Sequence, residues 1–216
     1  MLAYFDCFSG ISGDMTLAAL IDLGVPLKYL EDRLNSIPLR DFDITVTQVH
    51  RSGIHAVSVS VGAYDDQTTR NFTDIRSLIM DCPLSERIKS TSLQIFKKLA
   101  SAEARIHSCS AEEVHFHEDG GIDAIVDIVG AAICLDYLGI NNIIASPIPL
   151  GTGFVTCRHG KLPVPAPITL DILRGAPVYG TDISHELVTP TGAAIIVTLA
   201  ERFGTMPDMT MTGIGY

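Results

Sequence analysis

The sequence predicts an α/β fold, a mixed sheet with helices packed on it, made of strand–loop–helix units whose ligand loops gather at one edge. Three observations lead there. Short apolar runs at 2–8 and 141–151 have the length of buried strands. Loops rich in Gly, Ser, Thr or acid each pass into a helix or turn. The run IDAIVDIVGAAICLDYL, from Ile122 to about Leu138, is apolar on nearly every face, which marks a helix buried inside a domain.

Taken in order, residues 2–8 form a strand, SGISGD a turn, and MTLAALIDLGV a helix ended by Gly24. A short helix follows Pro26. FDITVTQVHR and IHAVSVSVGA alternate as the two arms of a hairpin turning at Arg51 to Gly53. AYDDQTTRN is polar enough for an exposed loop, and FTDIRSLIMDC and LSERIKSTSLQIFKKLASAEARIHSC have helical periodicity. After the buried helix, NNIIASPIPLG is a core strand entering a turn. GTGFVTCRHGKLPVPAPITLDILRG reads as strand, loop and helix, stiffened by prolines at 147, 149, 163, 165 and 167. GTDISHELVTPTGAAIIVTLAERFG repeats that logic with Thr189 or Thr191 as N-cap. MTMTGIGY alternates like a strand and has no polar tail, which reads as the first part of a longer protein. A single domain over 1–216 is expected.

With 15 Lys+Arg against 25 Asp+Glu the formal charge is −10. No basic cluster exists to neutralise a phosphate backbone, so nucleic acid is excluded as a partner, while cations suit the balance. No stretch has the length of a membrane span or the layout of a signal peptide. Five cysteines, an odd number without paired spacing, point to a reducing cytoplasm rather than a disulfide framework.

Four loops carry the candidate chemistry. In HFHEDGGID, His115 and His117 are two apart, so on an extended segment both imidazoles share a face and can close on one ion. Glu118 adjoins them as a further ligand or proton carrier. Asp123 and Asp127 follow at i, i+4 on the buried helix, a like-charge pair costing about 0.2–0.5 kcal/mol even in water. A metal, a basic side chain or the helix N-terminus must offset it. The plainer alternative has Asp123 capping its helix, Asp127 paired with an Arg, and ordinary half-buried histidines. In DCFSGISGDM, Asp6, Ser9, Gly10, Ser12, Gly13 and Asp14 could cradle an anion on backbone amides while the carboxylates hold a cation. Capping by Ser12 and Asp14 explains the loop equally well, and neither GxxxxGK[ST] nor GxGxxG is present. In TCRHG, Cys157 and His159 have the spacing of a soft metal pair near Lys161. In HELVTPTG, Glu186, Thr189 and Thr191 could hold a phosphate or carboxylate at a helix start. His50, His55 and His107 lack acidic company and read as structural or solvated. Ser9 lacks a GxSxG elbow, which argues against a nucleophilic hydrolase.

FSGISGDM (8–15), HFHE followed by IDAIVDIVG (115–130), HGKLPVPAP (159–167), ELVTPTGAA (186–194) and MPDMT leading to GIGY span nearly the whole chain. In these motifs the sequence resembles the nickel-insertion proteins of the nickel-pincer cofactor pathway, the LarC family. The resemblance implies a cytoplasmic lyase-class cyclometallase. It would insert Ni(2+) into pyridinium-3,5-bisthiocarboxylic acid mononucleotide in a CTP-dependent reaction with Mg(2+) or Mn(2+). On that reading His115, His117 and Glu118 meet the metal. Glu118, Asp123, Asp127 and His159 are catalytic candidates, and the two Gly/Thr-rich loops bind ligand. The chain departs from many family members in having AYDDQTTRN where they carry a histidine-rich insert. It also ends where full-length members continue into a C-terminal domain associated with CTP and metal, which is the expected partner, covalent or separate. Self-association is left open. Two rival classes are a non-catalytic metal- or substrate-binding scaffold half and a metal-dependent hydrolase.

Overall fold

Residues 1–39, 42–51, 53–63, 70–110, 114–116, 121–157 and 160–216 are described by a computed structural model. The candidates His117, Glu118 and His159, and residues 64–69 of the expected polar loop, lie outside the described residues.

At the centre is the helix α5 (Ile122–Tyr137). Ile125, Val126, Ile128, Val129, Ile133 and Cys134 are fully buried in it, each aliphatic side chain contributing about 1.5–3 kcal/mol. Around it pack α1 (Gly13–Asp22), α2 (Leu27–Leu34) and α4 (Glu86–His107). Gly130 lets α1 approach closely, since a Cβ there would stand 2.8 Å from Leu17 Cδ2. Side-chain caps start the helices: Ser12 for α1, Ser85 for α4, and Asn71 with Asp74 as a capping box for α3 (Phe72–Met80).

A parallel three-stranded sheet lies beside this helical layer. Its order is β1 (Leu2–Phe5), β6 (Asn142–Ala145), β11 (Arg202–Phe203), with Leu2 opposite Asn142 and Arg202 opposite Ile144. β7 (Ile148–Leu150) pairs in parallel with β10 (Val178–Gly180). Three antiparallel pairs complete the mixed α/β architecture: β2 (Phe42–Arg51) with β3 (Ile54–Ala63), β4 (Arg70–Asn71) with β5 (His115–Phe116), and β8 (Phe154–Cys157) with β9 (Gly160–Pro163). The short α6 (Pro167–Ile172) and α7 (Pro190–Leu199) pack on each other, and both touch α4.

Three local expectations change. The first strand stops at Phe5 rather than residue 8. There the Cys7 amide donates to Ser146 Oγ at 2.8 Å and Gly10 N to Cys7 O at 2.8 Å, turning the chain. In place of the expected loop, Gly160–Pro163 forms a strand antiparallel to Phe154–Cys157, with Cys157 opposite Gly160. MTMTGIGY makes no strand. Its last residues lie along α1, where Tyr216 N donates to Asp22 Oδ2 at 3.0 Å and Tyr216 O accepts from Val57 N at 3.0 Å. Gly215 packs directly on the Ala19 carbonyl. Single hydrogen bonds to two different elements replace the ladder that alternation alone suggests.

Candidate functional site

The loop after β1 and the loop before α7, far apart in sequence, are fastened to each other. Ile11 bridges Val188 in parallel, Ile11 N donating to Leu187 O at 2.9 Å and Thr189 N to Ile11 O at 3.2 Å. The approach requires glycine twice. Gly10 has φ +99°, and a Cβ on it would run into the Leu187 carbonyl, while one on Gly192 would strike the Ile11 carbonyl.

This fastening brings three helix starts to one cleft of about 340 Å³, lined by Ser12, Gly13 and Asp14 of α1, Asp123, Ala124 and Asp127 of α5, and Thr189 and Thr191 of α7. Asp14, Asp123 and Thr191 each occupy the second position of their helix, so a carboxylate or hydroxyl from each helix stands beside its first-turn amides. Thr189 accepts from Gly192 N at 3.1 Å as N-cap. Ser12 accepts from Met15 N at 3.3 Å and donates to Asp14 Oδ1.

Asp127 is the unusual member. Its Oδ1 is buried without a hydrogen-bond partner, and its carboxyl lies over the first turn of α1, where only a glycine at position 13 leaves room for it. Burial foremost, then the charges of Asp14 and Asp123, pushes its pKa up to about 8. Among the described residues no ion pair to it exists and no basic side chain lines the cleft. Pairing with an Arg, the plainer expectation, is not found among the described residues.

The fourth wall is Val59, Ser60 and Val61 of β3. Sequence reasoning missed it. The hairpin was legible from its alternation, but nothing in that alternation says that its apolar face lies against α1 and α5.

Other candidates sit elsewhere. Asp6 and Ser9 are exposed, Gly10 serves the loop clamp, and Glu186 is half-buried; none of these lines the cleft. His115 is placed by its backbone in β5, opposite Asn71. Cys157 ends β8 and is not among the lining residues, and none of the five cysteines forms a disulfide. Among the described residues no group of three His, Cys, Asp or Glu side chains is set to hold a metal ion unaided.

Helix amides favour an anion and the carboxylates favour a cation. The cleft therefore suits a ligand carrying both charges, such as a phosphate beside a cationic group or a hard dication.

A family model described as nickel insertion protein matches residues 3–216. The chain belongs to the nickel insertion protein family. Among curated relatives named "Putative nickel insertion protein", that of Geotalea uraniireducens is 53% identical over 216 residues, covering 99% of this chain and 55% of the relative. Those of Syntrophobacter fumaroxidans and Geobacter metallireducens are 50% and 48% identical, with the same coverage of 99% and 55%. The chain thus spans about half the length of these nickel insertion relatives. No solved structure matches it. Among the described residues no helix is long and apolar enough to cross a membrane.

Proposed function

We propose that this chain carries the substrate-binding and proton-accepting part of a cytoplasmic nickel insertase. The complete enzyme converts pyridinium-3,5-bisthiocarboxylic acid mononucleotide into the nickel-pincer cofactor in a CTP-dependent reaction with Mg(2+) or Mn(2+). One observation carries the reading: the buried carboxyl of Asp127, without an ion pair among the described residues, in an acidic cleft at three helix starts. A pyridinium mononucleotide has the matching charges, its phosphate suiting the amides of α1, α5 and α7 and its cationic ring suiting Asp14 and Asp123.

Nickel insertion breaks one ring C–H bond, forms one C–Ni and two S–Ni bonds, and releases the ring proton. The ionised form of Asp127 would take that proton. A group whose pKa stands near 8 is well matched to this exchange at neutral pH. Carboxylate oxygens suit Mg(2+) or Mn(2+) better than nickel. The nickel-contacting roles therefore fall first to the imidazoles of His115 and His117, with Glu118 beside them as a further ligand or proton carrier, His159 and Cys157 as further donors and Glu186 beside the ligand loop. The chain spans about half the length of its relatives, and turnover is proposed for the complete family protein.

The test is nickel incorporation into the mononucleotide, followed by mass spectrometry with the complete protein, CTP and metal. Asp127→Asn is expected to slow it by about 10²–10⁴-fold with substrate binding kept. Incorporation at the wild-type rate by that variant would remove Asp127 as the base.

A further inference from the structure

The hairpin β2–β3 pairs His50 with His55 directly across its two strands. Both are exposed, and their rings stand 5.1 Å apart at an interplanar angle of 73°. Their pairing class follows from the neighbouring rung. Val57 N donates to Tyr216 O and not across to β2, so the Val57–Gln48 rung is a non-hydrogen-bonded one. The His55–His50 rung, two residues along, is of the same class, in which facing side chains come closest.

We propose that His50 and His55 form a two-imidazole binding site for a borderline divalent transition-metal ion. Geometry and donor chemistry support this. With metal–nitrogen bonds of about 2.1 Å, two imidazoles sharing one ion at right-angle to tetrahedral directions have ring centres about 5 Å apart, and the observed separation is 5.1 Å. Neutral imidazole nitrogen prefers Ni, Cu and Zn over Mg and Ca. Exposed rings at the end of a ribbon turn about χ2 at little cost, and water completes the coordination.

The position adds meaning. Side chains alternate along a strand, so His55, Val57, Val59 and Val61 share one face of β3. Val59 and Val61 wall the cleft. Val59 is four residue steps from His55, about 13 Å along the ribbon. A metal captured by the pair is therefore held on the same face that leads to the acidic cleft. Its use for nickel rests on the nickel-insertion reading; its capacity to bind does not.

The test titrates Ni(2+) ions alone into the full chain. Substoichiometric Ni(2+), being paramagnetic, is expected to broaden the imidazole NMR signals of His50 and His55 together, with excess Mg(2+) unable to reverse it. By calorimetry, His50→Thr/His55→Thr loses one equivalent of bound nickel, and His50→Thr alone weakens that equivalent on the order of 10²-fold, the loss of one arm of a chelate. Threonine keeps strand propensity, and the wild-type NMR result stands even if a variant misfolds. Asp127→Asn and His115→Ala/His117→Ala retain this equivalent. Sharp His50 and His55 signals at one equivalent of nickel, or unchanged binding in the double variant, overturns the proposal. Loss of insertion in Asp127→Asn with nickel still on the hairpin separates the two readings.

Discussion

The start of α1 and the hairpin β2–β3 face each other across one cleft and are built in opposite ways. The first is clamped. Gly10 and Gly192 let two backbones touch, Gly13 admits a carboxyl, and one turn of helix presents capped and uncapped amides to the ligand space. The second is a two-stranded ribbon with no sheet beyond it, held by the burial of one face on α1 and α5. The difference teaches where tolerance lies: the clamp stores its precision in backbone contacts that no side chain can replace, whereas the ribbon needs only apolar residues of suitable size at alternate positions.

The sharpest way to break the comparison is Gly10→Ala. A Cβ there meets the Leu187 carbonyl at a φ of +99°, so neither backbone can yield without opening the clamp. A loss of about 3–5 kcal/mol is expected, read as a fall in melting temperature on the order of 10 °C. A melt within 2–3 °C or so of wild type would show that the clamp is not rigid.

Next in size is the pH dependence that Asp127 imposes. Its pKa is about 8 in the folded chain against 3.8 for the ordinary group. Between these values the folded state holds the proton and the unfolded state does not. Stability from this group is therefore full below about pH 4 and is lost as pH rises towards 8. The span corresponds to about 2–4 kcal/mol once partial solvent access is allowed for. Asp127→Asn should flatten the slope between pH 4 and 8 in denaturant titrations, and an unchanged slope would place the missing proton elsewhere.

The smallest effects belong to the ribbon. Val59, 5% exposed, should cost about 1–2 kcal/mol when cut to Ala. Ser58→Ala and Thr47→Ala, on the exposed face, should stay within about 0.5 kcal/mol. Equal losses on both faces would mean that the hairpin does not rest on α1.

Much of this was legible in the residues. Ser12 and Thr189 announce their helices, the apolar run of α5 announces a buried core, and Asp123 with Asp127 announces a charge problem. The His50–His55 contact could also have been found, since a turn at 51–54 sets those two residues opposite each other. Looking for acidic neighbours hid it, because imidazoles need only one another to chelate. The third carboxylate was less legible. Asp14 read either as a cation-holding carboxylate of the ligand loop or as part of its cap, and only the placement of α1 against α5 shows it raising the pKa of Asp127.

By itself the sequence determined the helices, the hairpin, the motif loops and the acidic character of the site, because these follow from local periodicity, caps and charge spacing over a few residues. Tertiary structure decided that helices starting at 13, 122 and 190 open on the same cleft, and that β3 closes it. It also decided that the last residues lie on α1 instead of forming a strand. Those outcomes depend on backbones meeting across long sequence separations, and close packing, not local preference, selects which glycines let them meet.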